Sequence, residues 1–243
     1  MITSINAKYI HGFTATPKRQ DGLEKLMYFQ IGSVVYKAAR TTSSFEQHVK
    51  VVKTETCFPP EWLIPETKPH ISPVYKHLVC DQARNEMIVN SIKQSVNNDR
   101  SVMVLTERKE HIELLAKLMA DKGIKIVELH GGISTKQRQK RIALLSNKPE
   151  GEEAVVILAT GKYVGEGFDL PHLDTLFITL PIAWKGILAQ YAGRIQREWS
   201  SKTVIQVYDF IDDFPTLQRM WKKREKGYKA LGYQFNEQKN LLI

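Results

Sequence analysis

A chain of 243 residues can hold one large domain, or a medium domain with an attachment, and its 42% hydrophobic and 25% charged fractions are those of a globular protein with a substantial core. No apolar run reaches membrane-spanning length and Met1–Tyr9 has no basic segment leading into an apolar one, so neither a membrane span nor a secretory signal is supported, and a cytoplasmic location is expected. The net charge of +9 suits a polyanionic partner and equally suits solubility, while two cysteines, Cys57 and Cys80, are too few for a four-ligand zinc site.

In chain order, Ser4–Ile10 is a short half-apolar strand candidate leading into HGFTATPKRQDG at 11–22. Residues 31–40 and 48–54 carry the β-branched and aromatic positions of two strands or of one irregular excursion. Prolines at 59, 60, 65, 69 and 73 then exclude a long regular element and mark a connector. Beyond it the pattern alternates. Helical spacing over 74–96 precedes an apolar strand at 102–105, a helix at 107–119 closed by Gly123, and a strand at 126–129. A helix at 135–145, a polar turn and a strand at 155–159 follow. Strands at 176–180 and 204–208 flank a helix that begins near Lys185.

Short apolar strands alternating with helices predict an α/β fold: a parallel sheet over about 100–210, covered by helices on both faces. Ligands of such sheets gather at the carboxyl ends of the strands. Thr106–Glu107, His130–Gly131–Gly132, Thr160–Asp169 and Pro181 are all placed there by this reading.

Two stretches carry most of the chemistry. TGKYVGEGFDLP at 160–171 has three glycines in seven residues, so its backbone can approach a ligand closely, and Thr160 can donate to a phosphate oxygen. A purely structural turn has the same composition. In QYAGRIQRE at 190–198, Arg194 and Arg197 are three apart; on a helix they would project from one face as two planar forks able to grip a phosphate chain, with Gln190 one turn earlier. A salt-bridged surface helix would read the same way. The run at 219–229 holds six basic residues and one acid, and suits either a solvated helix face or a phosphate backbone. Asp209, Asp212 and Asp213 read as a turn and helix start. His11 and His172 read as structural, and His130 adjoins the candidate track.

Taken together these segments resemble superfamily 2 helicases and translocases, and more closely the branch that includes the DNA-repair helicase XPB and restriction-enzyme motors. GFTATP at 12–17 resembles motif III, SVMVLTERKEHIELLAKLM at 101–119 motif IV, and LHGGIS at 129–134 the backbone-contact segment after it. ATGKYVGEGFDLP at 159–171 resembles motif V and QYAGRIQR at 190–197 motif VI. The resemblance implies a RecA-like three-layer α/β/α domain at 74–243, preceded at 1–73 by the end of a first RecA-like domain and a linker. It implies that Arg194 and Arg197 are arginine fingers assisted by Gln190, and that Gly167 and Asp169 link nucleotide to nucleic acid. Thr106, Gly131, Gly132 and Thr160 would line a phosphate-backbone track, and Thr14, Thr16 and Pro17 would form the coupling loop.

ATP and Mg2+ are the cofactors implied for a complete motor, and DNA its implied partner, with RNA also open. A nuclease or modification subunit is a further partner in restriction-type motors. Gly161 and Lys162 depart from the more polar pair common in motif V. No G-x-x-x-x-G-K-[ST] phosphate loop and no D-E-x-H-like segment occurs in the chain; both precede TATP in the family. The expectation is therefore half an ATP site, with the first domain supplied in cis or in trans, no nucleotide held tightly and little or no turnover alone. A nucleic-acid-binding module without catalysis and a RecA-like protein-interaction domain are the alternatives.

Overall fold

The computed structural model describes residues 8–14, 22–38, 44–146, 155–164, 168–182 and 185–237. Seven strands form one sheet: β1 (Glu46–Lys53), β2 (Val102–Thr106), β3 (Ile126–Leu129), β4 (Val156–Thr160), β5 (Thr175–Ile178), β6 (Val204–Ile211) and β7 (Gln234–Glu237). Their spatial order is β3-β4-β2-β5-β6-β1-β7, and every neighbouring pair is parallel. Parallel pairing needs crossovers, and helices supply most of them. These are α2 (Ile71–Cys80), α3 (Gln82–Asn97), α4 (Lys109–Asp121), α5 (Thr135–Ser146), α6 (Lys185–Ile195) and α7 (Pro215–Ala230), preceded by a separate α1 (Glu24–Ile31).

Alternation along the strands divides the core in two. Met103, Leu105, Ile157, Ala159, Leu176, Ile178, Ile205 and Val207 point to the face covered by residues of α5, α6 and α7. Val102, Val104, Val156, Leu158, Phe177, Tyr208 and Phe210 point to the opposite face, against Ile88 and Ile92 of α3 and Ile112 and Leu115 of α4. The two-residue side-chain period thus builds the three α/β/α layers that the RecA-like resemblance implies. A third cluster joins Val74 and Leu78 of α2 to Phe214 and Leu217 at the start of α7. Among the described residues no helix is long and apolar enough to cross a membrane.

The structure revises the expected organisation in several places. A boundary at 73 would exclude β1, yet β1 lies inside the sheet, paired from Glu46↔Val204 to Lys53↔Ile211 on one side and with β7 on the other. The apolar alternation of QHVKVVK fits a half-covered strand, but no local signal names its neighbours. The helical stretch over 74–96 is two helices, broken where Asp81 turns extended and its carboxylate accepts from Arg84 N at 3.0 Å as the cap of α3. Residues 8–10 and 32–38 adopt no regular structure; Ser4–Ala7 lie outside the described residues. Gly123 closes α4 at φ +73°, the left-handed conformation expected of a residue after a helix end.

Two buried ion pairs fasten the sheet to its helices, through carboxylates that the sequence reads as a turn and helix start. Arg224 of α7 grips Asp209 of β6 through Nε (2.7 Å) and Nη2 (2.8 Å), and the Tyr228 hydroxyl donates to the same carboxylate at 2.9 Å. Arg84 of α3 grips Asp212 at 2.7 and 3.2 Å, and Thr54 also donates to Asp212 at 2.7 Å. The run at 219–229 is therefore not uniformly a solvated face: Lys222, Lys223 and Lys226 are exposed, whereas Arg224 is buried in the core.

Candidate nucleotide and nucleic-acid site

The sequence-derived site residues fall into two groups. One lies at the carboxyl ends of β2, β3 and β4. There Thr160, half-buried, stands in register with Thr106, and the exposed Gly131 and Gly132 follow β3. Both glycines lie close under neighbouring side chains. A Cβ on Gly131 would meet the Tyr163 hydroxyl at 2.8 Å, and one on Gly132 would meet the His130 ring at 2.8 Å. His130 holds this turn in place: its Nδ1 accepts from Gly132 N at 3.0 Å while Nε2 lies 3.3 Å from the Glu128 carboxylate.

Thr106 is corrected by the structure. Its side chain is buried, and its hydroxyl is 2.9 Å from His111 Nδ1. His111 Nε2 in turn lies 2.9 Å from Asn85 Oδ1, and Asn85 Nδ2 donates to Val79 O at 2.8 Å. With its amide nitrogen on a carbonyl, Asn85 presents only an acceptor to His111, so Nε2 carries the proton and Nδ1 accepts from Thr106. Burial, with the nearby Arg84 charge, lowers His111 to about 3, so the ring stays neutral. Thr106 braces the strand end from inside and does not offer its hydroxyl to a phosphate.

At the same edge the Tyr191 hydroxyl donates to Glu107 Oε1 at 2.9 Å, passing over Gly161. A Cβ on Gly161 would lie 1.4 Å from that hydroxyl oxygen. This gives the departure at 161 a physical reason: the position is kept bare so that α6 can bond to the end of β2. Burial raises the Tyr191 hydroxyl, helped by the Glu107 charge, and burial likewise raises Glu107 against the lowering effect of its bond to Tyr191. Neither residue was singled out as a site residue from sequence, because the bond spans 84 positions.

The second group is the arginine cluster, one helical turn farther along α6. Arg194 Nη1 donates to Phe168 O at 2.7 Å. Arg197 Nε lies 3.4 Å from Asp169 Oδ1, with side chains 55% and 61% exposed. Gln190 is exposed four residues before Arg194 on the same helix. Arg197 does not continue the helical face expected of it, since α6 ends at Ile195. It reaches Asp169 from the loop beyond. Burial and the neighbouring Arg197 charge lower Arg194 from its ordinary value, and Asp169 opposes them. An ion pair this exposed is worth about 0–1 kcal/mol, so Arg197 can exchange Asp169 for a stronger anion at little cost.

Lys202 was missed entirely by sequence reading, being a single lysine in a turn. Buried beside this cluster, its Nζ donates to Pro171 O (2.6 Å), Arg197 O (2.7 Å) and Ile195 O (3.0 Å). Thr14 sits in an exposed segment without regular structure at 11–14; Thr16, Pro17 and Gly167 lie outside the described residues.

Comparison with known proteins agrees with this fold. Residues 83–199 match the helicase conserved C-terminal domain. The helicase-like protein 161L of Invertebrate iridescent virus 6 is 27% identical over 237 residues, covering 94% of this chain and 51% of that protein. The solved structure of Dbp5 from S. cerevisiae, bound to RNA and ADP BeF3, superposes with a TM-score of 0.61 at 14% identity, over 93% of this chain and 50% of that one. UvsW of T4 gives a TM-score of 0.61 at 17% identity, over 82% and 42%. The chain spans about half the length of these proteins. A parallel sheet of this order, with its arginine-bearing helix and matching domain, identifies the chain as carrying the C-terminal RecA-like domain of the superfamily 2 helicases.

Proposed function

We propose that this chain is the second motor domain of an ATP-dependent DNA helicase or translocase of the branch that includes XPB and restriction motors. The carrying observation is the convergence of Arg194 and Arg197 on one loop, where the Arg197 guanidinium pairs with an exposed carboxylate. ATP bound on a first RecA-like domain would supply the phosphoryl group and magnesium the counter-charge. Arg194 and Arg197 then donate to oxygens of the terminal phosphate and stabilise the charge that spreads over them during transfer. Gln190, on the exposed face of the same helix, orients polar groups at that interface, and Asp169 releases Arg197 as the phosphate takes its place. Gly167, next to Phe168 in the sequence, would share the role of Asp169, and Thr14, Thr16 and Pro17 would couple the domains.

The two guanidinium forks suit a phosphate, and in the complete motor magnesium would be held with the triphosphate by the first domain. The nucleic-acid strand is assigned to the carboxyl ends of β3 and β4, along the exposed Gly131 and Gly132 and the half-buried Thr160.

ATP hydrolysis by the highly purified chain, with and without single-stranded and duplex DNA, tests the reading. Turnover is expected at background, together with weak DNA binding that falls steeply between 50 and 200 mM salt. Robust turnover by the chain alone, abolished in Arg194→Ala, would overturn the half-site account. Binding indifferent to salt would point instead to a RecA-like protein-interaction domain.

A further inference from the structure

Besides its own bonds to the 168–171 loop, the arginine cluster has a further point of attachment. An ammonium has three N–H groups, and Lys202 spends all three on backbone carbonyls. Ile195 O belongs to the last turn of α6, where carbonyls lack helical partners and a cation is favourable. Arg197 O belongs to the loop that carries the exposed arginine. Pro171 O belongs to the loop that carries Asp169. One side chain thus ties both halves of the Arg197–Asp169 pair to the end of the helix that carries Arg194.

We propose that Lys202 is a positioning residue, a protonation-dependent clamp that sets the arginine segment against the 168–171 loop. The proposal rests on the assignment of Arg194 and Arg197 to a nucleotide phosphate. Among the described residues, the groups facing the ammonium are few. Asp174, ahead of β5, is itself paired with Arg100 at 3.2 Å; Glu198, just beyond the arginine loop, accepts from Ser44 at 2.6 Å; and the Phe45 ring lies 5.7 Å away. Burial lowers Lys202 from 10.5 to about 8, against the opposing pull of Asp174 and Glu198 and with the help of Arg100.

Above that pH the amine keeps two N–H groups for three carbonyls, and one strand of the clamp lets go. The global effect has the opposite sign. Between about 8 and 10.5 the unfolded chain still binds the proton that the folded chain has released, so the Lys202 contribution to stability rises with pH. Local loosening without a loss of global stability from this residue is the signature of the clamp.

The full chain, without nucleotide or nucleic acid, serves for the test. Hydrogen exchange is read at 168–171 and 194–198 from pH 6.5 to 9.5, corrected for intrinsic rates, in wild type, Lys202→Met and Lys202→Arg. Wild-type protection should fall several-fold with a midpoint near 8. Lys202→Met should be about tenfold less protected at pH 7 with no step near 8, and Lys202→Arg should regain protection without the step. If Lys202→Met fails to fold, wild-type NMR decides: the Arg194 and Arg197 Nε–H resonances should shift with the same midpoint as Lys202 Nζ. Arginine resonances that stay still while Lys202 titrates, or unchanged protection in Lys202→Met, would overturn the clamp. Neither readout needs ATP, so the arginine assignment stands or falls separately.

Discussion

His111 is held neutral by its surroundings, and acid should expose that. Its value falls from 6.5 to about 3 on burial, so from pH 6.5 downwards the unfolded chain takes up a proton that the folded chain refuses. Stability is therefore expected to drop as pH falls through this window, by on the order of 4 kcal/mol from this residue. Denaturant midpoints of wild type and His111→Gln between pH 7 and 4 measure it, and an equal acid loss in both would remove His111 as the cause. Gly161 makes an independent case. Gly161→Ala puts a methyl group where the Tyr191 oxygen sits, so the Tyr191 ring must move and its bond to Glu107 is lost. The expected result is a loss of about 1–3 kcal/mol. Tyr191→Phe in the Gly161→Ala background, which deletes the clashing oxygen, should recover part of it.

At the scale of elements, α7 combines two jobs that a charge count merges. Replacing Arg224 with Met leaves Asp209 buried beside Tyr228 without its cation, and should cost about 3–5 kcal/mol. Replacing the exposed Lys222, Lys223 and Lys226 with Gln should leave the melting temperature within a few degrees and, if this face meets phosphate, weaken nucleic-acid binding and flatten its salt dependence. A melting curve and a binding isotherm on each variant separate the two. The strands read at 102–105, 126–129, 155–159 and 204–208 were legible because each is a largely apolar run next to polar turns, although the last continues through Asp209 to Ile211. The helix break at Asp81 was not, since apolar spacing continues through it. Asp209 and Asp212 looked like turn formers because their arginines lie 15 and 128 positions away. Likewise the motif carrying Arg194 was visible as a local string, whereas Lys202 was not, for its three bonds are to backbone atoms that any residue could supply.

At the scale of the whole molecule, the net charge of +9 suits a polyanionic partner. The sheet also sets a schedule. Strand β1 pairs on both sides with strands near the far end of the chain, Lys50 opposite Tyr208 across 158 positions. A ribosome adding ~5–20 residues per second leaves Glu46–Lys53 without either neighbour for on the order of ten seconds. During that interval a half-apolar strand with two open edges is exposed to other nascent chains, and moving it to follow β7 in a circular permutant would abolish the wait. Newly made protein should therefore aggregate more readily from the natural order than from the permuted one, although both end in the same sheet.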